Sequence, residues 1–142
     1  MILCDSGPLI AAAIKKQPDN HACVEMFTGL RLAGRRLLVP PTVVAEVGFM
    51  LEKLGGTRAE KAFLLALSGR DFEPVELTSS DYARMAELVG RYDDLPLGTT
   101  DASVIALAER LDITEVATLD RRHFTVVRPR HVEGLTLLPE RL

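Results

Sequence analysis

Residues 94–124, DLPLGTTDASVIALAERLDITEVATLDRRHF, decide how the rest of the chain is read, because they hold two acids that folding alone does not call for. Taken as a helix from about Thr99 to Leu111, with successive residues turned by about 100°, the segment sets Asp101 on the stripe of Val104, Ile105 and Ala108. A carboxylate on that stripe faces the core side. The helix is followed at once by EVATLD, residues 115–120, a short strand-like run that ends in the second acid, Asp120, and then by a basic turn, Arg121, Arg122 and His123. Helix, strand and terminal acid form one unit, and the remaining chain can be ordered around it.

Upstream, Met1 to Asp5 is a short apolar run ended by an acid. Ser6-Gly7-Pro8 then opens a helix through LIAAAIKK, with proline in a first turn where its missing N–H costs little. Asp19 or Asn20 is expected to cap a second helix that Gly34 ends. Leu37 to Val39 reads as a second strand, stopped by Pro40-Pro41. Thr42 is expected to cap a third helix with the stripe Val43, Val44, Val47, Met50, Leu51 and Leu54, closed by Gly55-Gly56. Thr57 starts a fourth helix to about Ser68, Phe72 to Leu77 reads as a strand, and the Thr78–Asp81 cluster caps a fifth helix to about Tyr92. After Asp120 a short turn is expected to lead into an extended Thr125 to Val127, and Leu135 to Leu138 is the last edge strand. Unalternating apolar strands between helices indicate a mostly parallel sheet covered on both faces, hence a three-layer α/β/α domain.

The length of 142 residues suits one domain, expected to span residues 1–142, that buries about two-thirds of its unfolded surface without staples. At 47% hydrophobic, the chain still has every apolar run cut by charge or proline before the roughly 18 residues of a membrane span. The opening lacks a basic leader and carries Asp5, which argues against a signal peptide and for a soluble, cytoplasmic protein. Cys4 and Cys23 read as small core residues, so neither a disulfide framework nor a structural zinc is implied. A formal net charge of −3 counts, by itself, against a nucleic-acid binder.

In parallel sheets ligands gather outside the carboxyl ends of the strands. Asp5 and Asp120 each end a strand run, Glu46 sits one turn into the helix after Leu37–Val39, and Asp101 lies in the first turn of its own helix. Each acid alone has a plain structural reading as a cap or a solvated flank charge. Four of them about 5 Å apart would repel by roughly 3 kcal/mol per pair at an effective dielectric of 20. No Lys or Arg falls in the first turns of these elements, so divalent cations are the remaining candidates, and an all-oxygen acidic site suits magnesium or manganese. Ser6 and Thr118 are near enough in sequence to orient a ligand or a water.

Four pieces of the chain, ILCDSGPLIAAA, VPPTVVAEVGFMLEKLGG, DLPLGTTDASVIALAERL and TLDRRHF, together resemble the PIN-domain ribonucleases of the VapC toxin type over nearly the whole length. The resemblance implies a magnesium-dependent (or manganese-dependent) endoribonuclease in which Asp5, Glu46, Asp101 and Asp120 bind metal and Ser6 and Thr118 match the family's hydroxyl positions. Asp94 matches an acid common just before the third block, in a supporting or loop-capping role. The resemblance further implies a homodimer, a small VapB-like antitoxin that places a basic side chain among the acids, and structured RNA, often transfer or ribosomal, as substrate. Without its four site acids the chain is nearly neutral. Lys15, Lys16, Arg121 and Arg122 are then candidates for phosphate contacts. The alternatives are a PIN-like RNA-binding or RNA-processing protein outside a toxin–antitoxin pair, and an acid-cluster phosphatase. The phosphatase is disfavoured because Gly7 stands where a haloacid-dehalogenase-type site has its second acid.

Overall fold

The computed structural model describes residues 1–140. Strand β1 (Ile2–Cys4) leads to helices α1 (Ser6–Ala13) and α2 (Asn20–Leu32), followed by β2 (Leu37–Val39), α3 (Pro41–Ser68) and β3 (Glu73–Pro74). Helices α4 (Ser79–Arg91) and α5 (Thr99–Leu111) precede β4 (Glu115–Ala117), α6 (Arg121–Val126) and β5 (Thr136–Leu138). The strands form one sheet in the order β3-β2-β1-β4-β5, with every neighbouring pair parallel. This is the expected three-layer α/β/α architecture, and among the described residues the sheet is wholly rather than mostly parallel. Ile2, Leu3, Cys4, Leu37, Leu38, Val39, Val116 and Ala117 are all buried, as a sheet covered on both faces requires. Helix α5 packs against α4, α3 and β1, and its residues from Ala102 to Ala108 are buried without interruption.

Strand order places the functional edge. The chain steps from β1 out to β2 and β3 on one side and then returns to β4 on the other, so the crevice at the carboxyl ends of β1 and β4 is a topological switch point. Cys4 pairs with Ala117, which makes Asp5 and Thr118 the next neighbours, and Asp5 N–H extends the ladder to Ala117 O at 2.8 Å.

Several local expectations change. Pro40 is the N-cap of α3 and Pro41 its first residue, where fixed φ and a missing N–H are harmless; Thr42 therefore lies inside the helix and does not cap it. Asp19 takes the N-cap position of α2 without a side-chain bond, while Asn20 donates to Ala11 O at 2.8 Å and ties α2 to the end of α1. Gly56, at φ 73° and ψ −174°, breaks α3 where the glycine pair was expected to end it. Of Phe72–Leu77 only Glu73 and Pro74 form β3; Val75 N–H makes the last bond to β2, to Val39 O at 3.1 Å, and Pro74 is tolerated because β3 is the edge of the sheet. Residues 125–127 do not form a strand: Asp120 accepts from His123 N–H at 3.1 Å and nucleates α6, which buries Phe124 and runs through Val126.

Candidate active site

A cleft of about 560 Å³ opens at the switch point, lined by Asp5, Ser6, Gly7, Glu46, Gly98, Thr99, Thr100, Asp101, Leu119 and Asp120. All four acids singled out in the sequence therefore meet there, although they come from the junction of β1 and α1, from α3, from α5 and from the turn after β4. Asp5, 6% exposed, is gripped by Thr118, whose Oγ1 donates to Asp5 Oδ2 at 2.8 Å and accepts from Asp120 N–H at 3.0 Å. One hydroxyl thus pins two acid-bearing segments together. Glu46 Oε2 accepts from Thr100 Oγ1 at 2.9 Å. Ser103 Oγ donates to Thr100 O at 2.6 Å and lies 2.6 Å from Thr42 Oγ1, which fastens the first turn of α3 to that of α5. At Gly7 an added Cβ would come within 3.3 Å of Leu119 Cβ, so the first turn of α1 lies close against the segment leading to Asp120.

The acids crowd one another. Burial pushes the Asp5 carboxyl up to about 6, with Asp101 and Glu46 adding to the rise and the bonds from Thr118 and Ser6 N–H opposing it. Burial also raises Asp101, again with help from Asp120 and Glu46, while His123 pulls it down. Part of the repulsion is offset by helix N-termini, since Asp5 is the N-cap of α1 and Asp101 lies in the first turn of α5. A further part is met by a basic group that the sequence reading did not place in the site. His123 Nδ1 lies 2.6 Å from Asp101 Oδ2 and 2.9 Å from Asp120 Oδ2. Its approach follows from α6, which puts residues 120 and 123 on one face; read as a turn, the segment hid that proximity.

The donor set fits a hard divalent cation: four carboxylates on one rim, together with the buried Ser6 Oγ, which has no hydrogen-bond partner among the described residues. Buried acids elsewhere are treated differently. Asp81 accepts from Thr78 N–H at 2.8 Å and from Arg110 Nε at 2.9 Å, whereas among the described residues no Lys or Arg makes an ion pair with Asp5, Glu46, Asp101 or Asp120.

The pattern that defines the PIN domain matches residues 2–128. The chain belongs to the PIN-domain family. This PIN domain is 31% identical to Ribonuclease VapC26 of Mycobacterium tuberculosis over 97% of its own length and all of that protein. Among solved structures it resembles VapC20 of M. tuberculosis, described as a sarcin-ricin loop cleaving toxin, with a TM-score of 0.72 at 15% identity over 82% of this chain and 87% of that one. VapBC2 of Rickettsia felis, solved with a promoter DNA fragment, gives a TM-score of 0.65 at 15% identity over 96% and 97% of the two chains. FitAcB of Neisseria gonorrhoeae gives 0.62 at 18% identity over the whole of both. These likenesses match the VapC-type reading and the fold.

Other candidate residues of this PIN domain lie outside the cleft. Asp94 is exposed in the turn after α4 and does not line it. Lys15 and Lys16 follow the far end of α1, so about 12 Å of helix separates them from Ser6. Arg121, half-buried, and Arg122, exposed, begin α6 beside Asp120 at the rim, but neither lines the cleft. Arg35 and Arg36 precede β2 at the opposite edge of the sheet and pair with Glu115 and Glu73. Arg130 is committed to Glu87 at 2.9 Å.

Proposed function

We propose that this chain is the toxin of a toxin–antitoxin pair, a single PIN domain spanning residues 1–142 that acts in the cytoplasm as a metal-dependent endoribonuclease on structured RNA, transfer or ribosomal. The observation that carries the reading is the meeting of Asp5, Glu46, Asp101 and Asp120 on one cleft, with no Lys or Arg paired to them among the described residues. These four residues would hold magnesium or manganese. A divalent cation so held supplies Lewis acidity, which acidifies a water and neutralises charge building on a phosphodiester. The chain's own residues do the rest. Thr118 fixes Asp5 and the Asp120 backbone, Thr100 fixes Glu46, and Ser6 Oγ is free to orient a water or a phosphate oxygen.

Arg121 and Arg122 are the basic residues at the rim best placed for substrate phosphates, while Lys15 and Lys16 would engage only RNA that reaches along α1. Asp94 would support the loop before α5. A VapB-like partner would inhibit by setting a basic side chain among the acids, where a guanidinium matches two carboxylates. The likeness to VapBC2 supports such a partner, and the proposed unit is a homodimer.

The test uses purified, nuclease-free protein with transfer RNA, total RNA and single-stranded DNA, with and without EDTA. RNA cleavage should stop in EDTA and return with magnesium or manganese. Undiminished cleavage in EDTA would overturn the metal mechanism.

A further inference from the structure

His123 does more than its place in a basic turn suggests. Its backbone N–H donates to Oδ1 of the N-cap Asp120 at 3.1 Å, and the neighbouring Phe124 is buried, so the imidazole is presented by an anchored element. Nδ1 of that imidazole lies against carboxylates carried by two different elements, 2.6 Å from Asp101 and 2.9 Å from Asp120, both of which line the cleft. Ligand atoms of Asp101, Asp120 and His123 all fall within 4.8 Å of one another. Donor atoms at right angles around an ion with bonds of about 2.1 Å stand about 3 Å apart, close to the distance of His123 Nδ1 from each acid. Ser6, whose buried Oγ has no hydrogen-bond partner among the described residues, is one of the residues lining the cleft.

We propose that His123 is a nitrogen ligand of the cation held by Asp101 and Asp120, and that it biases this site toward manganese over magnesium. The assignment rests on the metal-dependent reading above and adds the identity of the ion class. A neutral imidazole with its proton on Nε2 presents the Nδ1 lone pair to the position shared by the two acids. Magnesium takes oxygen donors and keeps its waters, whereas first-row transition ions accept imidazole, and manganese is the one among them that also suits carboxylates. Only one nitrogen donor stands among several oxygens, so the preference is for manganese and not for zinc, whose sites are dominated by nitrogen and sulfur.

The experiment compares metal-stripped full-length wild type with His123→Asn and His123→Gln. Manganese and magnesium are titrated separately by calorimetry, and the manganese-loaded proteins are examined by pulsed EPR for coupling to a ligand nitrogen. Wild type should bind manganese more tightly than magnesium and show the nitrogen coupling. Both variants should lose the coupling and bind manganese more weakly than wild type does, with magnesium binding little changed. Wild-type manganese bound through oxygen alone overturns the assignment, even if neither variant folds. Equal loss of both ions in folded variants also overturns it, since that is the mark of a clamp that only orients the acids. Failure of both ions to bind wild type removes the metal reading of the whole cleft, a result separable from the loss of His123 alone.

Discussion

Two buried aspartates in one molecule are met in different ways. Asp81 and Asp5 are similarly buried, at 3% and 6% exposure, but Asp81 is met by Arg110 and a backbone N–H, while Asp5 faces Asp101 and Glu46. An Asp5 carboxyl raised from 3.8 to about 6 holds its proton in the folded chain after the unfolded chain has released it. Stability of the metal-free protein therefore falls as pH rises from about 4 to 6, and the shift corresponds to about 3 kcal/mol once both states are ionised. Asp5→Asn, which can still accept from Thr118, should be more stable than wild type in EDTA at pH 7 by up to that amount, and the advantage should fade below about pH 4. Urea melts of both proteins from pH 4 to 7 check this; parallel pH profiles would remove Asp5 from the repulsive cluster. The acids were legible in the sequence because each follows a strand or opens a helix, which is where the rim of a parallel sheet must lie. Their partners were not. Thr100, Ser103 and His123 touch residues 54, 61 and 22 positions away in the chain, and no local pattern encodes those contacts.

Elements with their own periodicity or punctuation were legible, and those that exist by pairing were not. Helix α5 has the bounds read from its apolar stripe, and α4 begins at the expected Thr78 cap, where Asp81 completes a capping box. Strand β3 has two residues because the extent of an edge strand is set by pairing with its one neighbour, β2. Helix α6 has six residues, too few to show a period, and depends on the Asp120 cap. The break in α3 is a glycine matter. Gly56, at φ 73° and ψ −174°, holds a conformation that side chains with a Cβ avoid, while a Cβ on Gly55 would meet Ala59 Cβ at 2.8 Å. Gly56→Ala should lower stability by about 1–3 kcal/mol through backbone strain, with no loss of cleavage per folded molecule, because the break lies ten residues beyond Glu46. Denaturant melts beside an RNA assay read both. An unchanged melt would mean that the chain relaxes through the kink at no cost, and that the glycine pair is not what divides the helix.

Across the whole molecule, the charge and the topology point at one cleft. The formal net charge is −3, and four of the 20 acids stand on one rim, carried by segments that run from residue 5 to residue 120. An ion bound there would join α1, α3, α5 and α6, elements drawn from nearly the full chain, so its binding energy should appear as global stability and not as local ordering. At an ion concentration 100 times the dissociation constant, linkage adds about 2.7 kcal/mol. For a domain of this size that amounts to a rise in melting temperature on the order of 8 °C. Wild type stripped with EDTA should show such a rise when magnesium or manganese is restored, and Asp120→Asn should lose most of it. Asp94→Asn, altered at an exposed turn outside the cleft, should keep the full shift. Calorimetric melts of the three proteins make the comparison. A shift that survives in Asp120→Asn and disappears in Asp94→Asn would mean that the cation sits elsewhere, and that the crowding of acids at the switch point has another cause.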